Sequence, residues 1–311
     1  MSKVRQNIET LAPYVPGKPV EELERELGIT DIIKLASNEN PLGPSPMALA
    51  AAHEAVGQIN LYPDGSGHDL VQAIAKRHGV APEQVVLGNG SNDVLEVAAR
   101  TFLAPGDEVV FSQYAFVVYR LVSQAIGASM VEVPARADLS HDLDAIAAAI
   151  TDKTRVVFLA NPNNPTGTMF SAEEWEKFLA RVPEHVLLVV DEAYAEYVGD
   201  ETYPDHWKAL KAGRDVLITR TFSKIFGIAG LRVGYGVTSA GNANYMNRVR
   251  QPFNTNLVAQ AAARAALEDH EFVRRSREVN ARGIHYLRAH LEKRGLKVTP
   301  SWGNFVLVDL G

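Results

Sequence analysis

The chain has no cysteine in 311 residues, so disulfides and thiolate metal sites are excluded and a reducing compartment is allowed. Long hydrophobic runs are missing too. The most apolar core stretch, Val186 to Val190, is far short of the about 20 residues that span a bilayer. The opening, MSKVRQNIETLAPYVPG, has no apolar h-region and no cleavage site, so no membrane association and a cytoplasmic location are expected. There is no surplus of positive charge. The formal net charge of -6 argues against a sequence-blind grip on nucleic acid. No internal repeat or low-complexity tract stands out. What remains is an ordinary globular composition, 46% hydrophobic and 22% charged, with length enough for two domains.

The first 35 or so residues are Pro-rich and amphipathic, with a helical pattern over Val20 to Leu27. Ser37-Asn38-Glu39-Asn40-Pro41-Leu42-Gly43-Pro44 follows as a turn-forming loop. From about residue 68 helical stretches alternate with short apolar runs. The helical stretches are Asp69 to His78, Asn92 to Phe102, Asp142 to Ile150 and Ala172 to Arg181. The strand-like runs are Glu108 to Phe111, Ser129 to Val133, Arg155 to Ala160, Val186 to Val190 and Val216 to Ile218, besides one ending at Gly88. This alternation predicts βαβ units and a mainly parallel sheet covered on both faces. A long helical pattern from about Leu257 to Arg294 breaks near Asp269 and meets a C-capping Gly295. A last strand-like segment covers Phe305 to Asp309.

Four segments carry chemistry. Lys224, in Thr221-Phe222-Ser223-Lys224, stands after a strand end among small and apolar residues. Such surroundings disfavour the ammonium and make a neutral amine available to attack a carbonyl. Arg232, in Gly230-Leu231-Arg232-Val233-Gly234-Tyr235, offers a permanent charge and a fork for a phosphate. Asp191, at the end of an apolar strand in Asp191-Glu192-Ala193-Tyr194, lies where open α/β sheets bind ligands. Asn164 lies in Asn161-Pro162-Asn163-Asn164-Pro165-Thr166-Gly167, a turn-rich segment whose Asn-Pro bonds are candidates for cis geometry. Gly88-Asn89-Gly90-Ser91-Asn92-Asp93 places backbone N–H groups and the Ser91 hydroxyl at a helix start, an arrangement suited to an anion. It is neither a P-loop nor a dinucleotide fingerprint. Each segment alone has an ordinary reading: an exposed loop lysine, a solvated acidic turn, a plain loop, an N-cap. For Tyr114 and Tyr62 taken singly, core packing is the ordinary reading.

Together and in this order the segments resemble the fold-type I aminotransferases that depend on pyridoxal 5′-phosphate (PLP), within them the histidinol-phosphate branch. The matching words are APYVPG from Ala12, SNENPLGPSP from Ser37, YPDGS from Tyr62, GNGSND from Gly88, NPNNPTG from Asn161, DEAY from Asp191 and TFSK…GLRVGY from Thr221. The resemblance implies an α/β fold with a three-layer αβα large domain around a mixed, mostly parallel seven-stranded sheet. A smaller α+β domain would come from both chain ends. The implied division is 1–35 as an N-terminal arm and part of the small domain, 36–255 as the cofactor domain and 256–311 as the C-terminal part of the small domain. It further implies a homodimer with its sites at the interface.

By the same resemblance Lys224 carries the cofactor and shuttles the proton. Asp191 pairs the pyridinium nitrogen, Tyr194 and Asn164 bind the phenolic oxygen, and Tyr114 stacks on the ring. Ser91, Asn92, Ser223 and Arg232 hold the phosphate, and Tyr62 reaches in from the neighbouring subunit. Tyr14 and Asn40 line the substrate side. The implied reaction converts L-histidinol phosphate and 2-oxoglutarate into imidazole-acetol phosphate and L-glutamate, in histidine biosynthesis. The runner-up is an aromatic amino acid aminotransferase, and behind it a PLP-dependent decarboxylase of the same fold. A PLP-binding sensor would need a DNA-binding domain for which the words, starting at residue 12, leave no room. Family members continue for some fifty residues beyond the last strand, with an arginine for the substrate. The expectation is therefore a truncated form that binds PLP better than it transaminates.

Overall fold

The structure, a computed structural model, describes residues 3–15 and 17–311. Pro16, part of the N-terminal word, lies outside the described residues. Seven strands form one sheet: β1 (Val85–Gly88), β2 (Glu108–Ser112), β3 (Ser129–Val133), β4 (Thr154–Ala160), β5 (Leu187–Asp191), β6 (Val216–Thr221) and β7 (Gly234–Val237). Their spatial order is β1-β7-β6-β5-β4-β2-β3. Pairings are parallel from β6 through β5, β4 and β2 to β3, and β7 alone runs antiparallel to both its neighbours. The fold is thus α/β, with the mixed, mostly parallel seven-stranded sheet that the motifs implied.

Apolar residues on both faces of each strand explain the three layers. Val110, Val157, Leu188 and Ile218 point to one face, where helices His68–His78, Ala172–Leu179 and Leu257–Glu268 cover them. Val109, Val156, Leu187 and Leu217 point to the other, under helices Ser91–Phe102, Val117–Ile126 and Ala240–Val249. Strands β4 and β5 are buried along nearly their whole length, as central parallel strands must be. Each such aliphatic side chain taken from water contributes about 1.5–3 kcal/mol.

The hairpin from β6 to β7 holds the segment with Lys224 and Arg232. Thr221 pairs with Gly234 at its mouth. Only glycine fits at 234, because a Cβ there would stand 2.4 Å from the Ser91 nitrogen. That close approach brings the start of helix Ser91–Phe102 against the hairpin. Beyond the sheet, helix His270–Glu292 leads to a small antiparallel pair, β8 (Lys297–Thr299) and β9 (Leu307–Asp309). Among the described residues no helix is long and apolar enough to cross a membrane.

Candidate active site

The C-terminal ends of β4, β5 and β6 lie side by side, with Ala160 opposite Asp191 and Asp191 opposite Thr219. Segments leaving these ends therefore converge on one edge of the sheet, where open α/β sheets place ligands. A cavity of about 600 Å³ opens there. Ser91, Asn92, Asn164, Asp191, Tyr194, Ser223, Lys224 and Arg232 all line it. A larger groove of about 1050 Å³ lies between helices Pro46–Val56, His68–His78 and Leu257–Glu268 and contains none of these residues.

Lys224 places an amine in the cavity wall. Its Nζ donates to the Ser37 carbonyl at 3.0 Å and sits 5.7 Å from the centre of the Tyr194 ring. Burial, with help from the Arg232 charge, pushes its pKa down to about 8 against the opposing pull of Glu39 and Asp191. An appreciable share of neutral amine therefore exists near neutral pH.

Asp191 lies buried at the end of β5. Thr219 Oγ1 donates to its Oδ1 at 3.0 Å and Tyr119 OH donates to its Oδ2 at 3.0 Å. Burial raises its pKa, and the two hydroxyl donors work against that rise. The result is an oriented carboxylate able to share a proton with a basic ring nitrogen. Tyr119 is held in turn by stacking on Phe158, with ring centres 4.7 Å apart.

Tyr194 closes the next wall. Its hydroxyl oxygen accepts from Asn164 Nδ2 at 3.2 Å and from Asn38 Nδ2 at 3.1 Å. Burial raises the phenol pKa, so it stays a neutral donor. Both Asn-Pro bonds of the Asn161 to Gly167 segment are cis.

The opposite end is built for an anion. Arg232 Nη1 donates to Ser223 Oγ at 3.2 Å and to the Ala229 carbonyl at 3.1 Å. Its backbone takes the left-handed conformation, φ 56°, uncommon for a residue with a side chain. Gly90 admits the guanidinium, since a Cβ there would lie 2.4 Å from Arg232 Nη2. The first-turn N–H groups of helix Ser91–Phe102 have no intrahelical partner and face the same end. An amine for an aldehyde, a carboxylate for a ring nitrogen, amide and phenol donors for a phenolate and a cationic cup for a phosphate make one donor set. That set fits a phosphorylated pyridine aldehyde.

The sequence matches the family described as aminotransferase class I and II over residues 30–311. The chain belongs to that family. Among its relatives, the histidinol-phosphate aminotransferase of Methylobacillus flagellatus is 57% identical over 302 residues, 96% of this chain and 82% of the relative. That of Moorella thermoacetica is 51% identical over 309 residues, 99% of this chain and 80% of the relative. The crystal structure of histidinol-phosphate aminotransferase from Sinorhizobium meliloti, in complex with pyridoxal-5′-phosphate, superposes with a TM-score of 0.91 at 32% identity. It covers 100% of this chain, which spans 83% of that one.

Within this aminotransferase frame the remaining expected residues are placed unequally. Tyr14 lines the cavity. Asn40 does not. Its Nδ2 donates to the Ile225 carbonyl and Ser276 Oγ, both at 2.9 Å, and its Oδ1 accepts from the Leu42 nitrogen, so it fixes the loop. From the same motif it is Asn38, two residues earlier, that lines the wall. Tyr114 lies outside the cavity lining and 42% exposed, while Phe116 from the same segment lines it. Asn163 Nδ2 donates to the Tyr114 carbonyl at 2.6 Å, fixing the backbone there. Tyr62 is 82% exposed and stacks on Phe253 rather than entering this chain's cavity. Tyr119 and Thr219, which orient Asp191, carried no signal in sequence beyond a helical tyrosine and a strand threonine.

Proposed function

We propose that this chain catalyses transamination of L-histidinol phosphate with 2-oxoglutarate, giving imidazole-acetol phosphate and L-glutamate in histidine biosynthesis, with PLP as cofactor. The observation that carries the reading is the convergence of Lys224, Asp191, Tyr194, Asn164 and Arg232 on one cavity. The names of its relatives, at identities of 51% and 57% over nearly the whole chain, support the substrate.

Bound PLP supplies an electron sink for the bond broken at the substrate's α-carbon. The residues of the chain do the rest. Lys224 would hold the cofactor, and its amine would move the substrate's α-proton as general base and then general acid. Asp191 keeps a proton at the ring nitrogen, held in line by Thr219 and Tyr119. Tyr194 and Asn164 donate to the phenolic oxygen. Ser91, Asn92, Ser223 and Arg232 hold the phosphate. Phe116, from the segment of Tyr114, is the aromatic that borders the ring, Tyr14 borders the substrate, and Asn38 takes the role expected of Asn40.

The homodimer belongs to the same proposal, with Tyr62 reaching the site of a second copy. Its support is that Tyr62 is exposed beside Ile59, Leu61 and Phe253, all exposed apolar residues. A cytoplasmic location fits the chemistry proposed.

Borohydride reduction of the purified protein with PLP, followed by peptide mass mapping, tests the cofactor reading. A pyridoxyl adduct on Lys224 is expected; an adduct elsewhere, or none, overturns it. Glutamate formation from histidinol phosphate and 2-oxoglutarate, exceeding that from phenylalanine as donor, tests the substrate.

A further inference from the structure

Residues 250–256, Arg-Gln-Pro-Phe-Asn-Thr-Asn, tie together two loops beside the cavity, and apart from Phe253 none of them takes part in the proposed chemistry or contact. Asn254 is the node. Its Nδ2 donates to the Leu87 carbonyl at 3.1 Å and to Asp93 Oδ2 at 2.6 Å. Its Oδ1 accepts from Arg250 Nη1 at 2.6 Å. Asp93 Oδ2 also accepts from the Asn89 nitrogen at 2.8 Å. Arg250 Nη2 reaches on to the Gly65 carbonyl at 3.0 Å, in the turn that carries Tyr62.

The neighbouring contacts brace the same strut. Phe253 takes the left-handed conformation, φ 57°, and its ring centre lies 5.0 Å from that of Tyr62. Gly65 is packed against the Phe253 ring, 3.1 Å from where a Cβ would stand. Gln260 Nε2 donates to the Asp64 carbonyl at 3.0 Å. A left-handed non-glycine residue persists where surrounding contacts hold it.

We propose that Asn254 is a positioning residue for the cofactor's phosphate, shaping the Gly88 to Ser91 cup through Asp93 and the Asn89 amide without touching the phosphate. The proposal rests on the cofactor reading given above. Asp93 stands in the first turn of the helix whose N–H groups face the anion end. Its carboxylate, already bonded to the Asn89 N–H, would compete with a phosphate for those amides and repel it. Asn254 on one side and the Asn89 N–H on the other hold that charge aside. With Asn89 so engaged, the Ser91 and Asn92 N–H groups are left to the anion beside Ser223 and Arg232.

The test compares PLP with pyridoxal, which has the same ring and aldehyde but no phosphate. Dissociation constants of both are measured for wild type, Asn254→Ala, Asp93→Ala and the double variant, with thermal midpoints alongside. Loss of a hydrogen bond to a charged group predicts about tenfold weaker PLP binding for Asn254→Ala. Pyridoxal binding should be unchanged. Because Asn254 acts by holding the Asp93 charge aside, Asp93→Ala alone should keep PLP affinity, and the double variant should recover most of what Asn254→Ala loses. An equal loss for both ligands, or unchanged PLP affinity, overturns the proposal. If Asn254→Ala fails to fold, Asn254→Ser, whose shorter side chain cannot bridge Arg250 and Asp93, decides by the same comparison. A wild type that binds PLP no better than pyridoxal would instead refute the assignment of the phosphate end itself.

Discussion

A lysine in water is almost fully charged below about pH 9, and position 224 departs from that because protein has replaced much of its hydration. Burial lowers its pKa to about 8, Arg232 adds to the effect, and Glu39 and Asp191 oppose it. The sign is clear: the neutral, nucleophilic form increases as pH rises through 8. The rate of cofactor loading should climb about tenfold per pH unit below that point and level off above it. Glu39→Gln removes the largest force holding the amine charged, so it should move the inflection to lower pH. Stopped-flow absorbance across a pH series reads both; an inflection near the ordinary lysine value would sink the argument.

A second residue sits where removal is costly. Arg220 Nε donates to Glu192 Oε2 and Nη1 to Glu196 Oε1, each at 2.7 Å, and all three side chains are largely buried. Burial alone would raise the Glu192 pKa, but Arg220 and His206 hold it down at about 2. Arg220→Ala leaves two carboxylates without their cation. It should cost about 3–5 kcal/mol, measured by urea unfolding. At this scale Lys224 and Asp191 are legible in sequence because strand-end context marks them. Asn254 and Tyr119 are not, because their partners lie 161 and 72 positions away and only the fold unites them.

Among the elements, the joint between two helices shows how one side chain sets a boundary. Asp269 accepts from the Phe272 nitrogen at 3.1 Å, capping helix His270–Glu292, and its Oδ2 accepts from Ser45 Oγ at 2.6 Å. Ser45 in turn caps helix Pro46–Val56. Asp269→Ala should therefore cost about 1–2 kcal/mol, and Asp269→Asn less because the cap is kept. Chemical denaturation of the two variants checks the order; equal stability of both with wild type would refute it. The break at Asp269 was readable because capping is local. Strands β2 to β6 were readable because their apolar runs are unmistakable. β7 was not, since Gly234 and Gly236 have little strand propensity and are there to admit Ser91 and Val94. Helix Val117–Ile126 escaped because its valines and isoleucine suit a strand equally well.

Over the whole molecule, alternation of strands and helices implies a parallel α/β sheet, but strand order is a non-local outcome. Nothing in Gly234–Val237 says that it inserts between β1 and β6 in the opposite sense. The exposed surface is non-local in the same way. Leu49, Val56, Ile59, Leu61 and Tyr62 stay exposed along helix Pro46–Val56 and the turn after it, beside Phe253. Exposed apolar residues gathered on one surface mark an interaction site. If a second copy covers them and receives Tyr62 at its phosphate end, cofactor affinity and dimerisation are linked. A charge at Leu61 would lie in the contact and weaken it without disturbing this chain's core. Leu61→Asp should then sediment as a monomer at concentrations where wild type is dimeric. Its PLP affinity should fall with the dimer fraction and recover as protein concentration rises. A wild type that is monomeric when loaded, or a monomeric variant with undiminished PLP affinity, would break the link between the two sites.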